Sequence, residues 1–247
     1  MARAKPMVAG VVAAAMLMSG ACGRGVVVPA DEASALRAVW EAVRRNKLTT
    51  PGGAVREDLL ELIPTKGTWL EGLYVVGVRH AERPLVGGPA YWQAYLVGVN
   101  LLGGRDARLG TLYVTTDFRT AFQWRVRQKP PKTEAEALEI AMCFARLETF
   151  TRPDKLKVLR GADDAAEILA GLAKHDAALA ESVKKQIAAP RVQAHRVVGL
   201  RKRVYTVEFT ARSADFWGDI CFWHMEIGEE VFSASRRPVL VAARGME

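Results

Sequence analysis

The sequence predicts an α+β protein built as two tandem repeats, each a helix packed across a curved antiparallel sheet, over residues 31–129 and 130–247. Three observations predict it. A helical periodicity followed by a run of short β-rich segments occurs twice along the chain. A Pro-Pro break among charges, Gln128-Lys129-Pro130-Pro131-Lys132, falls between the two runs. Short strings also recur at matching places. Tyr74-Val75-Val76-Gly77-Val78-Arg79 parallels Arg196-Val197-Val198-Gly199-Leu200-Arg201, and Tyr91 to Val97 parallels Arg203 to Phe209 in position. Leu112-Tyr113 and then Ala121-Phe122 parallel Phe222-Trp223 and then Val231-Phe232.

Residues 1–21 read as a leader. Arg3 and Lys5 form a positive start, Met7 to Met18 is an uncharged apolar run, and Ser19-Gly20-Ala21 supplies small residues before Cys22. This is the layout of a secretory signal. The apolar run is shorter than the roughly 20 residues a spanning helix needs. The segment Leu17-Met18-Ser19-Gly20-Ala21-Cys22 resembles the lipobox of bacterial lipoproteins, with Ser19 standing where that class usually has Leu. The resemblance implies cleavage before Cys22 and diacylation of its thiol, which makes the membrane the first partner. An ordinary cleaved signal with a free or paired Cys22 is the competing reading. Gly23, rather than Asp, follows the cysteine. By resemblance to Gram-negative lipoproteins, that implies sorting to the outer membrane. The expected location is the bacterial cell envelope, lipid-anchored, facing the periplasm or the surface. Residues 22–30 form the lipidated cysteine and a tether, which spans at most about 27 Å fully extended. The body is therefore expected close to the membrane.

Removing the leader from the 247 residues leaves about 226, enough for one large domain or two small ones. A hydrophobic content of 50% supports a real core. The mature net charge is about +6, because Arg3 and Lys5 leave with the signal. That modest excess favours anionic surfaces such as lipid headgroups and is too dispersed to argue for nucleic acid. No cysteine pair has metal-ligand spacing and no histidine pair has HxH or HExxH spacing, so neither a metal nor a cofactor is expected.

In the first half, Asp31 is a plausible N-cap for a helix whose Leu36, Val39, Trp40 and Val43 share one stripe. Thr49 to Gly53 reads as a turn, and Val55 to Ile63 as a short second helix stopped by Pro64. Strands are expected at Leu73–Val78, Tyr91–Val99, Leu109–Thr115 and, after a turn at Asp117, Thr120–Val126. Two Gly-containing loops, at residues 86–89 and 103–106, join them.

In the second half, Thr133-Glu134-Ala135-Glu136 matches a capping box and opens a helix to about Thr149, with Ile140, Phe144 and Leu147 inward. Asp163 is expected to open a helical stretch to Ile187, with Leu172, Leu179 and Val183 inward and an interruption at Lys174-His175-Asp176. Strands are expected at Ala194–Leu200, Val204–Ala211, Ile220–Ile227 and Glu230–Ala234, with Val239–Ala243 as an extra edge. The helix-then-meander order is similar to the cystatin-like and PepSY-like exported α+β modules, a topological likeness without a signature motif.

Few residues carry chemical signals. With Cys22 committed to lipid, Cys143 and Cys221 remain. They can pair across the second helix and its sheet or stay as two buried thiols, or Cys143 can serve as a nucleophile beside a histidine. His224, between Trp223 and Met225, alternates onto a solvated face. Arg191, Arg196, Arg201, Lys202 and Arg203 surround one hairpin, with Arg236-Arg237 further on. They read as solvated hairpin tips or as a contact for anionic lipid, glycan or an acidic partner. Phe216-Trp217 adds an aromatic loop to the candidate binding surface. The expectation is a non-catalytic, lipid-anchored module that binds an envelope protein, peptide or glycan near the membrane. An inhibitor or immunity-type lipoprotein that blocks an exported enzyme or toxin is the alternative.

Overall fold

The computed structural model describes residues 31–50, 53–79, 91–99, 112–149, 156–196, 203–213 and 219–241. The leader, Cys22, the tether, both glycine loops, His80, Arg201, Lys202 and Phe216-Trp217 lie outside the described residues.

The chain opens with helix α1 (Glu32–Arg45), capped by Asp31, whose Oδ1 accepts from the Ser34 N–H at 2.7 Å. Its Ala35, Val39 and Val43 are buried. A two-stranded ribbon, β1 (Thr49–Thr50) with β2 (Gly53–Ala54), follows. The segment expected as a second helix is instead a short 3-10 turn at Glu57–Leu59 leading into strand β3 (Leu60–Ile63). Leu60 to Ile63 finds ladder partners in Val78 to Val75, and that pairing outweighs any local helical preference. β4 (Tyr74–Arg79), β5 (Tyr91–Val99) and β6 (Leu112–Thr115) complete an antiparallel sheet in the order β3-β4-β5-β6.

Both faces of this sheet are covered, which is why β4 is apolar along its length. Val76, Val78, Tyr95 and Val97 meet α1. Val75, Ala94 and Leu96 point the other way, into a core that contains Phe122, Ile140 and Phe144.

The strand expected at Thr120–Val126 is helix α2 (Phe118–Gln128). Asp117 is not its preceding turn but its N-cap, accepting from the Thr120 N–H at 3.1 Å. Phe118, Ala121, Phe122 and Val126 are buried together, a spacing that suits a helical stripe. Helix α3 (Glu134–Glu148) forms as expected, with Thr133 Oγ1 accepting from the Glu136 N–H. The return bond of the capping box is displaced by one residue: Glu136 accepts from the Lys132 N–H rather than from Thr133.

The second sheet is organised by β9 (Arg203–Ser213). One side of it pairs with β10 (Ile220–Gly228), which pairs with β11 (Val231–Leu240). Its other side is shared. β8 (Arg191–Arg196) pairs with Arg203 to Glu208, and β7 (Leu156–Leu159), a strand the sequence reading missed, pairs with Thr210 to Ser213. Val239 and Leu240 end β11 and do not form an extra edge strand. Pro238 is tolerated inside β11 because that strand is an edge, paired on one side alone.

Tyr205, Val207, Phe209, Trp223, Met225 and Ile227 face the same core as α2 and α3, so residues on both sides of the Pro-Pro break share one interior. Phe144 of α3 is its hub. Its ring lies 5.2 Å from Phe122, 5.1 Å from Phe232 and 6.5 Å from Trp223. Helices α4 (Ala166–Ala173) and α5 (Ala177–Gln186) close one end of the sheet's opposite face over Leu159, Ile220 and Leu240. A 3-10 turn beginning at Ala162 precedes them, so Asp163 does not cap a helix. The break at Lys174 to Asp176 is as expected, with Asp176 capping α5. Val183 is buried, but Leu179 is 41% exposed, against expectation.

Candidate functional site

Alternation along β9 and β10 turns Val207, Phe209, Trp223 and Met225 inward, and so turns Thr206, Glu208, Thr210, Phe222, His224 and Glu226 to the far face. Cross-strand register then arranges these residues in rows. Arg191, Glu208, His224 and Ser235 stand side by side, and Gln193, Thr206, Glu226 and Ser233 form the next row. At one end α5 and the segment after it close the face. Thr210 is fully buried there and its hydroxyl accepts from the Ala188 N–H at 3.4 Å. Arg237 donates to the Gln186 side-chain oxygen and lies 5.5 Å over the Phe222 ring. Beyond that boundary the face is half-exposed and polar.

Its centre is the pair His224 Nδ1 and Glu208 Oε1, 3.1 Å apart, with side chains 43% and 35% exposed. In this pair the carboxylate oxygen is the acceptor and Nδ1–H the donor. Ser235 Oγ donates to the His224 carbonyl and Ser233 Oγ to Glu226 Oε2, each at 3.4 Å. His195 Nδ1 lies 3.5 Å from Thr206 Oγ1 in the neighbouring row. The result is a row of donors and acceptors across the sheet, with the Phe222 ring at its covered end. Such an array fits recognition of a polar ligand laid across it.

No protein-family model matches this chain, and no curated protein or solved structure shows a significant match to it. Among the described residues, no group of three or more His, Cys, Asp or Glu side chains is placed to hold a metal ion. None of the described helices is long and apolar enough to cross a membrane.

The expected basic cluster is divided. Arg191 begins β8 opposite Glu208, while Arg196 and Arg203 face each other at the other end of the same hairpin, both exposed. Directly opposed like charges disfavour a strand pair. This end therefore holds two exposed guanidiniums side by side at that cost.

Of the readings open for Cys143 and Cys221, the structure has both as free thiols, Cys143 buried and Cys221 half-buried. Cys143 sits on α3 against Thr68 and Trp69 of the first half, whereas Cys221 sits on β10 near Asp219 and Arg236. Burial pushes the Cys143 thiol up to about 11, against a smaller opposing pull from Arg146. Burial also raises Cys221. A thiol held protonated is a poor nucleophile, which weighs against the catalytic reading of Cys143.

His224 lies on the solvated side of its strand, as its neighbours Trp223 and Met225 implied. Sequence reasoning missed its partner Glu208. The available signal was Thr206, Glu208 and Thr210 alternating with Val207, Phe209 and Ala211.

Proposed function

We propose that this chain is a lipid-anchored envelope protein that acts by binding, with the open polar face of the second sheet as its contact surface. The observation that carries the reading is the half-exposed array around Glu208 and His224, backed by the main hydrophobic core on the reverse side of β9 and β10. A solvated sheet face needs no such pairing of donors and acceptors for stability, because exposed polar pairs contribute little. The array suits a glycan or an extended polar segment of an envelope protein or peptide. Anchoring through Cys22 and the short tether holds this face near the bilayer, and the Arg196–Arg203 end fits anionic headgroups.

The architecture fits a duplicated cystatin-like unit. α1 precedes the meander β3-β4-β5-β6, and α3 precedes β8-β9-β10-β11. α2, and β7 with α4 and α5, are additions to that plan. The alignment of Ala121-Phe122 with Val231-Phe232 sets a helix against a strand. It therefore lends the duplication no support.

Crosslinking and pull-down from intact cells, with the native anchor in place, tests the binding reading. The expected result is a specific envelope partner recovered by wild type and lost in the Glu208→Gln/His224→Ala variant. Recovery of lipid alone refutes the reading, and equal recovery by the variant removes the face from it. One-to-one capture of an exported hydrolase or toxin turns it toward an inhibitor. Metabolic fatty-acid labelling of wild type and Cys22→Ala tests the anchor, and equal labelling of both sinks it.

A further inference from the structure

β8 borders the polar face on one side, and its outer edge is open. It pairs with β9 alone, and its register runs unbroken from Arg191 to Arg196 with no Pro or bulge. Ala194 stands opposite the buried Tyr205, yet Ala194 and Arg196 are exposed. The cover over the core therefore stops short of this edge.

Hydrogen-bond phase decides which backbone groups face out. The tight turn Glu229-Glu230 makes Gly228 and Val231 a hydrogen-bonded pair. Pro238, which has no N–H to give, then falls on the outward phase of β11, as it must. Alternating from that pair across β10 and β9 turns Arg191, Gln193 and His195 toward β9. The N–H and C=O groups of Val192, Ala194 and Arg196 point outward. Among the described residues none hydrogen-bonds them. Such an edge is a template for one more strand.

The charges on β8 select the occupant. Arg191 lies on the polar-face side of the strand and Arg196 on the other. A second copy, added antiparallel in register, would set Arg191 against Arg196 twice, and like charges directly opposed disfavour pairing. Arg191 has Glu208 on its inner flank, whereas Arg196 has Arg203. A carboxylate on the outer flank of Arg196 offsets that like-charge contact.

We propose that β8 takes an extended acidic polypeptide segment as an added antiparallel strand, with carboxylates at the positions beside Arg191 and Arg196. Main-chain bonds to Val192, Ala194 and Arg196 supply the affinity, and the two arginines supply the selection. The proposal rests on the binding role given above and sharpens it: the segment runs along the rim of the polar face.

The probe is the end-blocked peptide Glu-Thr-Val-Thr-Val-Glu, titrated into the full chain, with Lys-Thr-Val-Thr-Val-Lys as the charge control. Laid antiparallel, it sets its glutamates beside Arg196 and Arg191 and its valine amides against Ala194 and Val192. Saturable one-to-one binding below about 1 mM is expected, at least about tenfold tighter than for the lysine peptide. Added salt should weaken it. N-methylation of the two valines is expected to abolish binding. N-methylation of the two threonines, whose amides point away from β8, is expected to leave it largely intact. Arg191→Gln with Arg196→Gln should remove the preference for the glutamate peptide. The two methylated peptides decide the matter in wild type even if that variant fails to fold. Equal binding of the glutamate and lysine peptides overturns the proposal. So does equal binding of the two methylated peptides, or the absence of saturable binding. A dimer in sedimentation that the double variant strengthens makes a second copy the occupant, and also overturns it. Each of these failures leaves the pull-down with the Glu208→Gln/His224→Ala variant as a separate test of the polar face.

Discussion

Gly77 offers the sharpest test of the packing between the first sheet and the shared core. It sits in the middle of β4, between Glu61 of β3 and Ala94 of β5. A Cβ built there would lie 2.3 Å from Cδ1, 2.5 Å from Cε1 and 2.8 Å from Cγ of Tyr91. Carbon atoms in contact prefer about 3.5–4.0 Å, so the ring would have to withdraw by more than an ångström. It has little room, because Tyr91 is 2% exposed and belongs to the main core. β4 cannot yield easily either, since it is paired on both sides.

Overpacking of this kind costs about 1–3 kcal/mol. Replacing Gly by Ala also removes unfolded-state freedom, which returns about 0.4–1 kcal/mol. The net expectation for Gly77→Ala is a loss of about 1–2 kcal/mol, or roughly 2–8 °C in Tm for a chain of this size. Thermal and urea unfolding followed by circular dichroism measure it. A double-mutant cycle isolates the cause: in a Tyr91→Leu background the same change should cost under about 0.5 kcal/mol. If Gly77→Ala is neutral in wild type, or costs as much in the Tyr91→Leu background as in wild type, the ring is not what excludes a side chain there.

Other expectations follow from individual contacts. Phe144→Ala should cost about 3–5 kcal/mol, because it empties the hub between Phe122, Phe232 and Trp223; equilibrium unfolding reads it, and a loss below about 1 kcal/mol contradicts the packing. Asp117→Ala should cost about 1 kcal/mol by leaving the α2 N-terminus uncapped, while Asp117→Asn should be nearly neutral. The Cys143 thiol is raised in the folded state from 9.0 to about 11, so the folded protein favours its protonated form. Its contribution is full below about pH 9 and is lost as pH climbs toward 11, on the order of 2–3 kcal/mol. Cys143→Ala should flatten that alkaline decline in a pH series of urea midpoints, and an unchanged slope would refute the assignment. Arg203→Glu should turn an opposed pair of like charges into an attractive one, stabilising by about 0.2–1 kcal/mol, and should also weaken co-sedimentation with anionic vesicles.

What could be read from the residues was local. Asp31 and Thr133 announced helix starts, because a cap bonds an amide only two or three positions ahead. The alternation in Val204 to Ala211 and Ile220 to Ile227 marked strands for the same reason. Thr120 to Val126 was misread because its apolar residues also satisfy a β-rich pattern. Asp117 was visible, but whether it turned the chain or capped a helix depended on what Phe118 and Phe122 docked against. Leu60 to Ile63 was misread in the other direction, since a four-residue strand has no signature apart from its partner.

The sequence by itself determined the α+β class, the helices that open at Asp31 and Thr133, and the side of its strand on which His224 falls. These depend on periodicity and capping, whose range is a turn or two of backbone. Tertiary structure alone decided that Glu208 stands beside His224, that Cys143 lies against Thr68 of the first half rather than bonding to Cys221, and that Arg191 is parted from Arg196 and Arg203. Each of these is a matter of sheet register or of helix docking between distant segments. Register is set by which rows of side chains fill the core together, and no short window of sequence contains both members of those rows.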